Sequence, residues 1–502
     1  VFAWGALRSA PGVGRAGLIV RAGGRTVYSA EIAAQGRGPW QRASVELGAA
    51  GPSRLELRAE HLGPRGPDGG EAWIAVAEPR LYVPEAEDRR RPRRLVWISI
   101  DTVRADHLGL YGYSRTTSPN LDRRASRLAV FEEALAPASW TLPSIASQFT
   151  ARHASGHGAV LPTLKRDTRH AGVFELLARS GFTVLGVTAN GFLSRHFNLA
   201  DGFDTLVGRS EARADAVTRS ALDVLDEWPG GDLALFVHYM DPHTDYDPPP
   251  PFDRFDPDYR GPADGTSFKR LARTPRDREH VVALYDGEIA FVDAQLEELL
   301  RELEARGVLG GALLVVSSDH GEEFQDHGDW VHGHGVHSEL LRVPLLVGVP
   351  GAAPRRIPDL VSLIDVAPTI LDAFGLPAPS SFEGRSLLPL VKGRPLGPRP
   401  ALAETERGPR TDHRVALRDG PYHYVVSLRW EGRRPTVLGE ALYDRRTDPG
   451  ERRPLTPGER LDHLRRYTLL ALERARADVA QPASAELSEE LRQELKALGY
   501  ID

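Results

Sequence analysis

The sequence predicts an α/β protein with a mostly parallel sheet flanked by helices. A β-sandwich precedes this sheet and a small antiparallel sheet follows it near the C-terminus. Three observations carry that prediction. The apolar runs "RLVWISID", "FTVLGVTAN", "LALFVHYMD", "ALLVVSSDHGE" and "VPLLVGVP" alternate with amphipathic stretches, as buried parallel strands covered by helices do. Residues 1–84 hold only short strand-like runs between Gly- and Pro-rich turns. Four of the apolar runs lead into polar residues, namely Asp101, Asn190, His243 (three residues past Met240) and Asp319. In open α/β sheets, ligands bind at the carboxyl ends of the strands.

In the N-terminal part, "GLIVRAGG", "RTVYSAEIAA", "QRASVELG", "SRLELRAEH" and "AWIAVAEPRLYV" read as strands, several with the alternation of half-buried ones. Their close spacing predicts a sandwich over residues 1–84. The expected role is structural or docking, with carbohydrate binding as an alternative, and Trp4, Trp40 and Trp73 are expected in its core. The charge run "EAEDRRRPRR", residues 85–94, reads as a linker. From 95 to 400 the helical stretches between the apolar runs are "SPNLDRRASRL", "VFELLARS", "AVTRSALDVLDEW" and "HVVALYDGEIAFVDAQLEELLRELEARG". Residues 401–502 bring the antiparallel segments "HRVALRDGPYHYVVSLRW" and "EALYDRRTDPGERR", then a helical tail through "SEELRQELKALGYID".

Composition narrows the class. A length of 502 residues accommodates two to four domains. The 41% hydrophobic and 26% charged content is ordinary for a globular protein. A net charge of −6 provides no basic footprint, so nucleic acid is not an expected partner. Only four of the 63 basic residues are lysine, a skew that reflects genome composition. Without cysteine there is no disulfide, no thiolate metal site and no cysteine-derived nucleophile. No stretch of this chain approaches the roughly 18 apolar residues of a membrane span. The start at Val1 suggests the loss of an upstream signal or anchor, and hence a periplasmic or extracellular location.

The blocks "WISIDTVRADHLGLYGY", "SWTLPSIASQFTARHASGHG", "HYMDPHTDYDPP", "SSDHGEEFQDHG", "HGHGVHSELLRVPLLV" and "YDRRTDPGE" follow one another in the chain. In this order the chain resembles the sulfatases of the alkaline phosphatase superfamily, over residues 95–502. The resemblance implies that Asp101, Asp319 and His320 bind one divalent metal. Many sulfatases hold calcium with Asp-Asp and Asp-Asn. Here Thr102 replaces the second Asp and His320 the Asn, which favours zinc or manganese over calcium. Aligned on the family's Cys-x-Pro-Ser-Arg signature, the cysteine position falls on Thr141, with Ser144 in the serine position and Ile145 in that of the arginine. Threonine is no precursor of formylglycine. Its hydroxyl attacks only if a metal lowers its pKa, which makes Thr141 both a metal ligand and the nucleophile. Thr141 also stands where a helix starts, so an N-cap worth about 1 kcal/mol is the alternative role.

Threonine in this position resembles phosphoethanolamine transferases, lipoteichoic acid synthases and nucleotide pyrophosphatase/phosphodiesterases. Asp101, Thr141, Asp319 and His320 match the single-metal set of the first two; "DPHTDYD" and "HGHGVH" lack the Asp-x-x-x-His spacing of the two-metal enzymes. Where sulfatases carry Lys-x-His this chain has "TAN", which makes Asn190 a neutral substrate contact. The resemblance gives His243 and His332 catalytic roles on a non-bridging oxygen or the leaving group, with His334 as a further substrate contact. His107, His157 and His196 read as structural or surface residues, and Glu322, Asp326, His327 and Asp329 as shaping a loop. The expected function is a metal-dependent hydrolase of a sulfate or phosphate ester, on a small-molecule, glycan or lipid substrate. The lost sulfatase residues lean towards phosphorus. A phosphoryl-type transferase and a non-catalytic binding protein with a decayed sulfatase fold are the alternatives. The loop 245–275 is expected to supply pocket walls.

Overall fold

The computed structural model describes residues 93–502, except 211, 407–411, 433, 478, 480–482, 498–499 and 502, together with six strands before residue 93. The chain divides into two compact units, Val1–Arg90 and Arg91–Asp502. In the first unit, Phe2–Ser9 pairs with Gln41–Ala43 and Ala72–Ala77, while Arg15–Ala22 pairs with Arg25–Ala33 and Leu55–Leu62. Both three-stranded sheets are antiparallel. Leu18 and Val20 are buried and the intervening Ile19 less so, the period of two that the sequence displays. Of the strand expected over "QRASVELG", Gln41–Ala43 forms a strand and the rest lies outside the described residues. Trp40, the side chains of Trp4 and Trp73, and most of the 85–94 stretch lie outside the described residues.

The second unit is built on eight strands: β1 (Arg94–Ile100), β2 (Ala129–Leu135), β3 (Thr183–Thr188), β4 (Thr205–Gly208), β5 (Leu233–Tyr239), β6 (Leu313–Ser318), β7 (Arg342–Gly348) and β8 (Arg355–Ser362). Their order is β4-β3-β5-β1-β6-β7-β2-β8. Every pairing is parallel except the two made by β7, the "VPLLVGVP" run. The reason is the connection. Between β6 and β7 the chain forms the small hairpin Glu323–Phe324/Trp330–Val331 and the short helix Ser338–Leu341 but no crossover helix, so it re-enters beside the end it left.

Alternate side chains of β1 go to opposite faces. Leu95 and Trp97 join one core cluster, Val96 and Ile98 the other. On the Trp97 side pack α1 (Thr141–Thr150) and α2 (Val173–Arg179), through Phe149 and Phe174. On the other side lie α3 (Ala214–Asp226) and the long α4 (Pro275–Ala305), through Val217, Tyr285, Leu296 and Leu300. A capping box starts α4: Thr274 accepts from the Asp277 backbone N–H, and Asp277 reaches back to the backbone N–H of Thr274, with Pro275 in the first turn.

The expected C-terminal sheet is a four-stranded antiparallel meander of β9 (Ala401–Thr405), β10 (His413–Asp419), β11 (Tyr422–Glu431) and β12 (Arg434–Asp444). The helix α5 (Glu459–Ala477) buries Leu461, Leu464 and Leu472 against it. The last helix, α6 (Glu489–Ala497), sends Leu491 and Leu495 into the core cluster of Trp140 and Phe192, and Tyr500 joins them there. Among the described residues no helix is long and apolar enough to cross a membrane.

Candidate metal centre and active site

The site grows from the ends of adjacent parallel strands. Ile100 of β1 is level with Tyr239 of β5 on one side and Ser318 of β6 on the other, so Asp101 and Asp319 leave the sheet next to each other. The turn after β1 is held open by Thr102, whose φ of 57° is a costly region for a β-branched residue. Its N–H donates to Asp319 Oδ1 at 3.3 Å and its carbonyl accepts from the Tyr285 hydroxyl at 2.8 Å. Asp319 Oδ1 also accepts from the His320 N–H at 2.9 Å. One oxygen of Asp319 is thus anchored to backbone. The other, Oδ2, is buried and has no hydrogen-bond partner among the described residues, as is true of Asp101 Oδ1.

His320 completes a metal-ready set. Its Nδ1 lies 2.9 Å from the Gly321 carbonyl, which only accepts, so the hydrogen sits on Nδ1 and Nε2 presents a lone pair. That lone pair is 3.4 Å from Asp101 Oδ1 and 3.5 Å from Asp319 Oδ2. Thr141 Oγ1 is the fourth donor, 3.3 Å from His320 Nε2 and 3.4 Å from Asp101 Oδ2. A tetrahedral zinc with bonds of about 2.0–2.1 Å keeps its ligands about 3.3–3.4 Å apart. All four residues are fully buried, the three other donors lie 3.3–3.5 Å from His320 Nε2, and Asp101, Asp319 and His320 form a group able to hold a metal ion.

Charge points the same way. Burial and the neighbouring Asp319 carboxylate hold Asp101 well above the usual carboxylate range, and burial pushes Asp319 up to about 7. Among the described residues neither forms an ion pair with arginine or lysine, only with histidine. Two carboxylates enclosed in this way need a cation to stay ionised together.

Thr141 opens α1, and the helix N-cap is Trp140, which caps through no side chain. The N-cap alternative therefore does not account for the Thr141 hydroxyl, which faces Asp101, His320 and Asn190. Ser144 ties the same helix to the metal strand by donating to the Asp319 carbonyl at 2.6 Å. Asn190, the expected substrate contact, lies beside Asp101 and Thr141. Its Oδ1 accepts from the Phe192 N–H at 3.0 Å, which turns Nδ2 to Asp101 Oδ2 at 3.1 Å and Thr141 Oγ1 at 3.5 Å.

His243 and His332 also meet at this edge, their rings 4.8 Å apart, with His332 4.5 Å from the His320 ring. His332 Nδ1 contacts Glu322 Oε1 at 2.8 Å. Glu322 is fully buried and binds His332 on one oxygen and the Tyr246 hydroxyl on the other. Burial holds its carboxyl well above the usual range. His334 points elsewhere, to Glu323 Oε2 at 2.7 Å. His107 pairs with Asp286, His157 with Ser147, and His196 with the Glu486 carbonyl. Asp326 binds Arg104, His327 binds Glu339, and Asp329 receives the Trp330 N–H.

Two residues of this edge escape the sequence reading. His238, inside the apolar run of β5, is fully buried with Nε2 3.8 Å from Asp101 Oδ2. Neither ring nitrogen has a hydrogen-bond partner among the described residues, and burial pushes the imidazole down to about 3, so it is neutral. A lone histidine in "LALFVHYM" was the available signal. Tyr500 comes from the far end of the chain, its hydroxyl 3.1 Å from Nε2 of both His243 and His332. Nothing in the local sequence marks it.

Comparison with known proteins bears on this geometry. The profile of the family described as Sulfatase matches residues 93–376. Rat arylsulfatase K is 30% identical over 187 residues, 36% of this chain and 32% of that protein. The chain thus spans about a third of that relative's length. Human N-sulphoglucosamine sulphohydrolase is 28% identical over 354 residues, 61% of this chain and 68% of its own. Among solved structures, the phosphonate monoester hydrolase of Silicibacter pomeroyi superposes with a TM-score of 0.64 at 19% identity, over 76% of this chain and 96% of its own.

Proposed function

Because the chain belongs to the sulfatase family, a family of ester hydrolases, we propose that it hydrolyses a sulfate-type or phosphate-type ester with Thr141 as nucleophile. Asp101, Asp319, His320 and Thr141 would hold one divalent cation, zinc or manganese by the chemistry of the donors. When bound, such a cation lowers the pKa of the Thr141 hydroxyl and neutralises charge on the transferred group. The hydroxyl already directs its hydrogen at Asp101 Oδ2, and Asn190 Nδ2 fixes both oxygens. Thr141 Oγ1 forms the bond to sulfur or phosphorus while the bond to the leaving oxygen breaks. His332 and His243 bind oxygens of the reacting group and protonate the departing one. Water then cleaves the threonine ester and restores the hydroxyl.

A single observation carries this reading: a helix-opening threonine that does not cap its helix lies 3.3 Å from Nε2 of a buried histidine that itself sits beside two buried carboxylates. The neutral Asn190 and Ile145 in place of cationic residues favour a phosphoester, phosphodiester or phosphonate. N-sulphoglucosamine and phosphonate monoesters, named for two of the relatives, are the first substrates to try. Protein loaded with zinc, manganese or calcium is to be assayed on aryl sulfate, aryl phosphate, aryl phosphodiester and aryl phosphonate esters. Turnover with one of these, lost in Thr141→Ala, is expected. Full activity in that variant means that the nucleophile lies elsewhere.

A further inference from the structure

We propose that Glu451, the acid that ends the "YDRRTDPGE" block, is a positioning residue: it fastens both ends of the segment 327–338 and so holds His332, which that segment carries, beside the metal group. The inference rests on the role given to His332 above and extends it to the C-terminal part of the chain.

Glu451 follows β12 in a turn that its N–H closes on the Asp448 carbonyl at 3.1 Å, and it is 1% exposed. At one end of the segment, Oε2 accepts from the Ser338 backbone N–H at 3.1 Å and lies 3.3 Å from His337 Nδ1. Oε1 accepts from the Ser338 hydroxyl. At the other end, the Glu451 carbonyl lies 3.0 Å from His327 Nε2. The C-terminal sheet is tied in as well, through His423 Nδ1 of β11, 2.7 Å from Oε1. A carboxylate suits this place because both of its oxygens only accept. Burial alone would raise the carboxyl, but His423, His337 and Ser338 hold it well below the usual range.

His327 secures its end from both sides of the ring. Its Nδ1 lies 2.6 Å from Glu339 Oε1, so acceptors face both nitrogens. Against the cost of burial, Glu339 pushes the imidazole up to about 9, and the charged ring donates on both sides. It also stacks on His337 at 3.7 Å. The backbone between the two ends needs such fastening. Val331 and Gly333, the neighbours of His332, have φ of 67° and 84°. For a β-branched residue that region is costly, and it persists only where the surroundings impose it. The His332 ring stands 4.5 Å from that of His320, so slack in the segment is felt at the metal group.

The test is Glu451→Gln in the full-length, zinc-loaded protein, beside His332→Ala and the double variant. The amide keeps the shape of the side chain but turns an NH2 group on donors that need an acceptor. With the zinc content of the parent, Glu451→Gln is expected to lose about tenfold or more in kcat on the aryl ester that the parent turns over, with KM nearly constant. In the His332→Ala background the same change is expected to lose about twofold or less, because Glu451 acts through His332. A role in stability alone would give equal losses in the two backgrounds, and that result would overturn the proposal. Hydrogen exchange on the same proteins judges the clamp without turnover. The amides of 327–338 should exchange about tenfold faster or more in Glu451→Gln, while those of β1 and β6 keep the parent rate. Unchanged exchange in 327–338, or equal acceleration throughout, would also overturn it. If Glu451→Gln does not fold, Ser338→Ala, which removes one donor only, is read in the same way, with effects of about threefold. Activity retained in Thr141→Ala would mean that the nucleophile is wrong, whereas the exchange measurement tests Glu451 by itself.

Discussion

At the scale of single residues, the proposed function turns on one hydroxyl and three candidate metal donors. Thr141→Ala should lower turnover by roughly 10³-fold or more while zinc stays bound, because it removes the attacking group and spares the other donors. Asp319→Asn should instead lose the metal. Near-stoichiometric zinc in the parent and little in the variant, measured by elemental analysis, is the expected result. The carboxyl of Asp319 also predicts a pH dependence. Burial raises it from 3.8 to about 7, so in metal-free protein the folded state binds more protons than the unfolded one between these values. Stability of the metal-free protein should fall as pH rises from about 4 to about 7 and level off above. Added zinc should reverse the loss most strongly at the upper end, where the carboxylate is free to bind it. Denaturant titrations at several pH values, with and without zinc, test the sign.

At the scale of elements, the sheet positions the chemistry and the helices hold it. Gly321 follows His320, and a Cβ there would stand 2.0 Å from the Glu339 carbonyl oxygen. Backbone cannot yield that much, so Gly321→Ala should displace His320 and weaken zinc binding by about tenfold or more, read in a chelator competition. Ser144→Ala leaves the Asp319 carbonyl without its buried donor and should cost about 1–3 kcal/mol in stability. These elements differ in how legible they were. The runs ending at Asp101 and Asp319 declare themselves by unbroken apolarity followed by a carboxylate, and Thr141 by its place before "LPS". The reversed direction of β7 does not, because strand direction depends on how the chain returns, while the apolar pattern is the same either way.

At the scale of the molecule, the two core clusters fix the platform under the site. Phe174 packs within 6 Å of Trp97, Phe149, Phe203 and Phe236. Phe174→Ala should cost about 3–5 kcal/mol, measured by urea unfolding, since the ring leaves a cavity in a close-packed face. Sequence motifs show residues near one another in the chain or tied to strand ends. They are blind to partners brought together by the closing of the whole chain. Tyr500 reaches His243 across more than half of the chain, and Glu322 reaches His332 only after the β6–β7 loop folds back. His238 was hidden differently, by standing in a strand that apolarity alone explains. The buried group of Asp101, Asp319 and His320 was therefore readable from local patterns, whereas His238 and Tyr500 beside it were not.

The most direct measurement is an anomalous diffraction map at the zinc edge from crystals of the zinc-loaded protein. A single strong peak within bonding distance of Asp101 Oδ1, Asp319 Oδ2, His320 Nε2 and Thr141 Oγ1 is the predicted result. A peak that the two aspartates and the histidine share, but that leaves the Thr141 hydroxyl well outside its coordination sphere, would contradict the account.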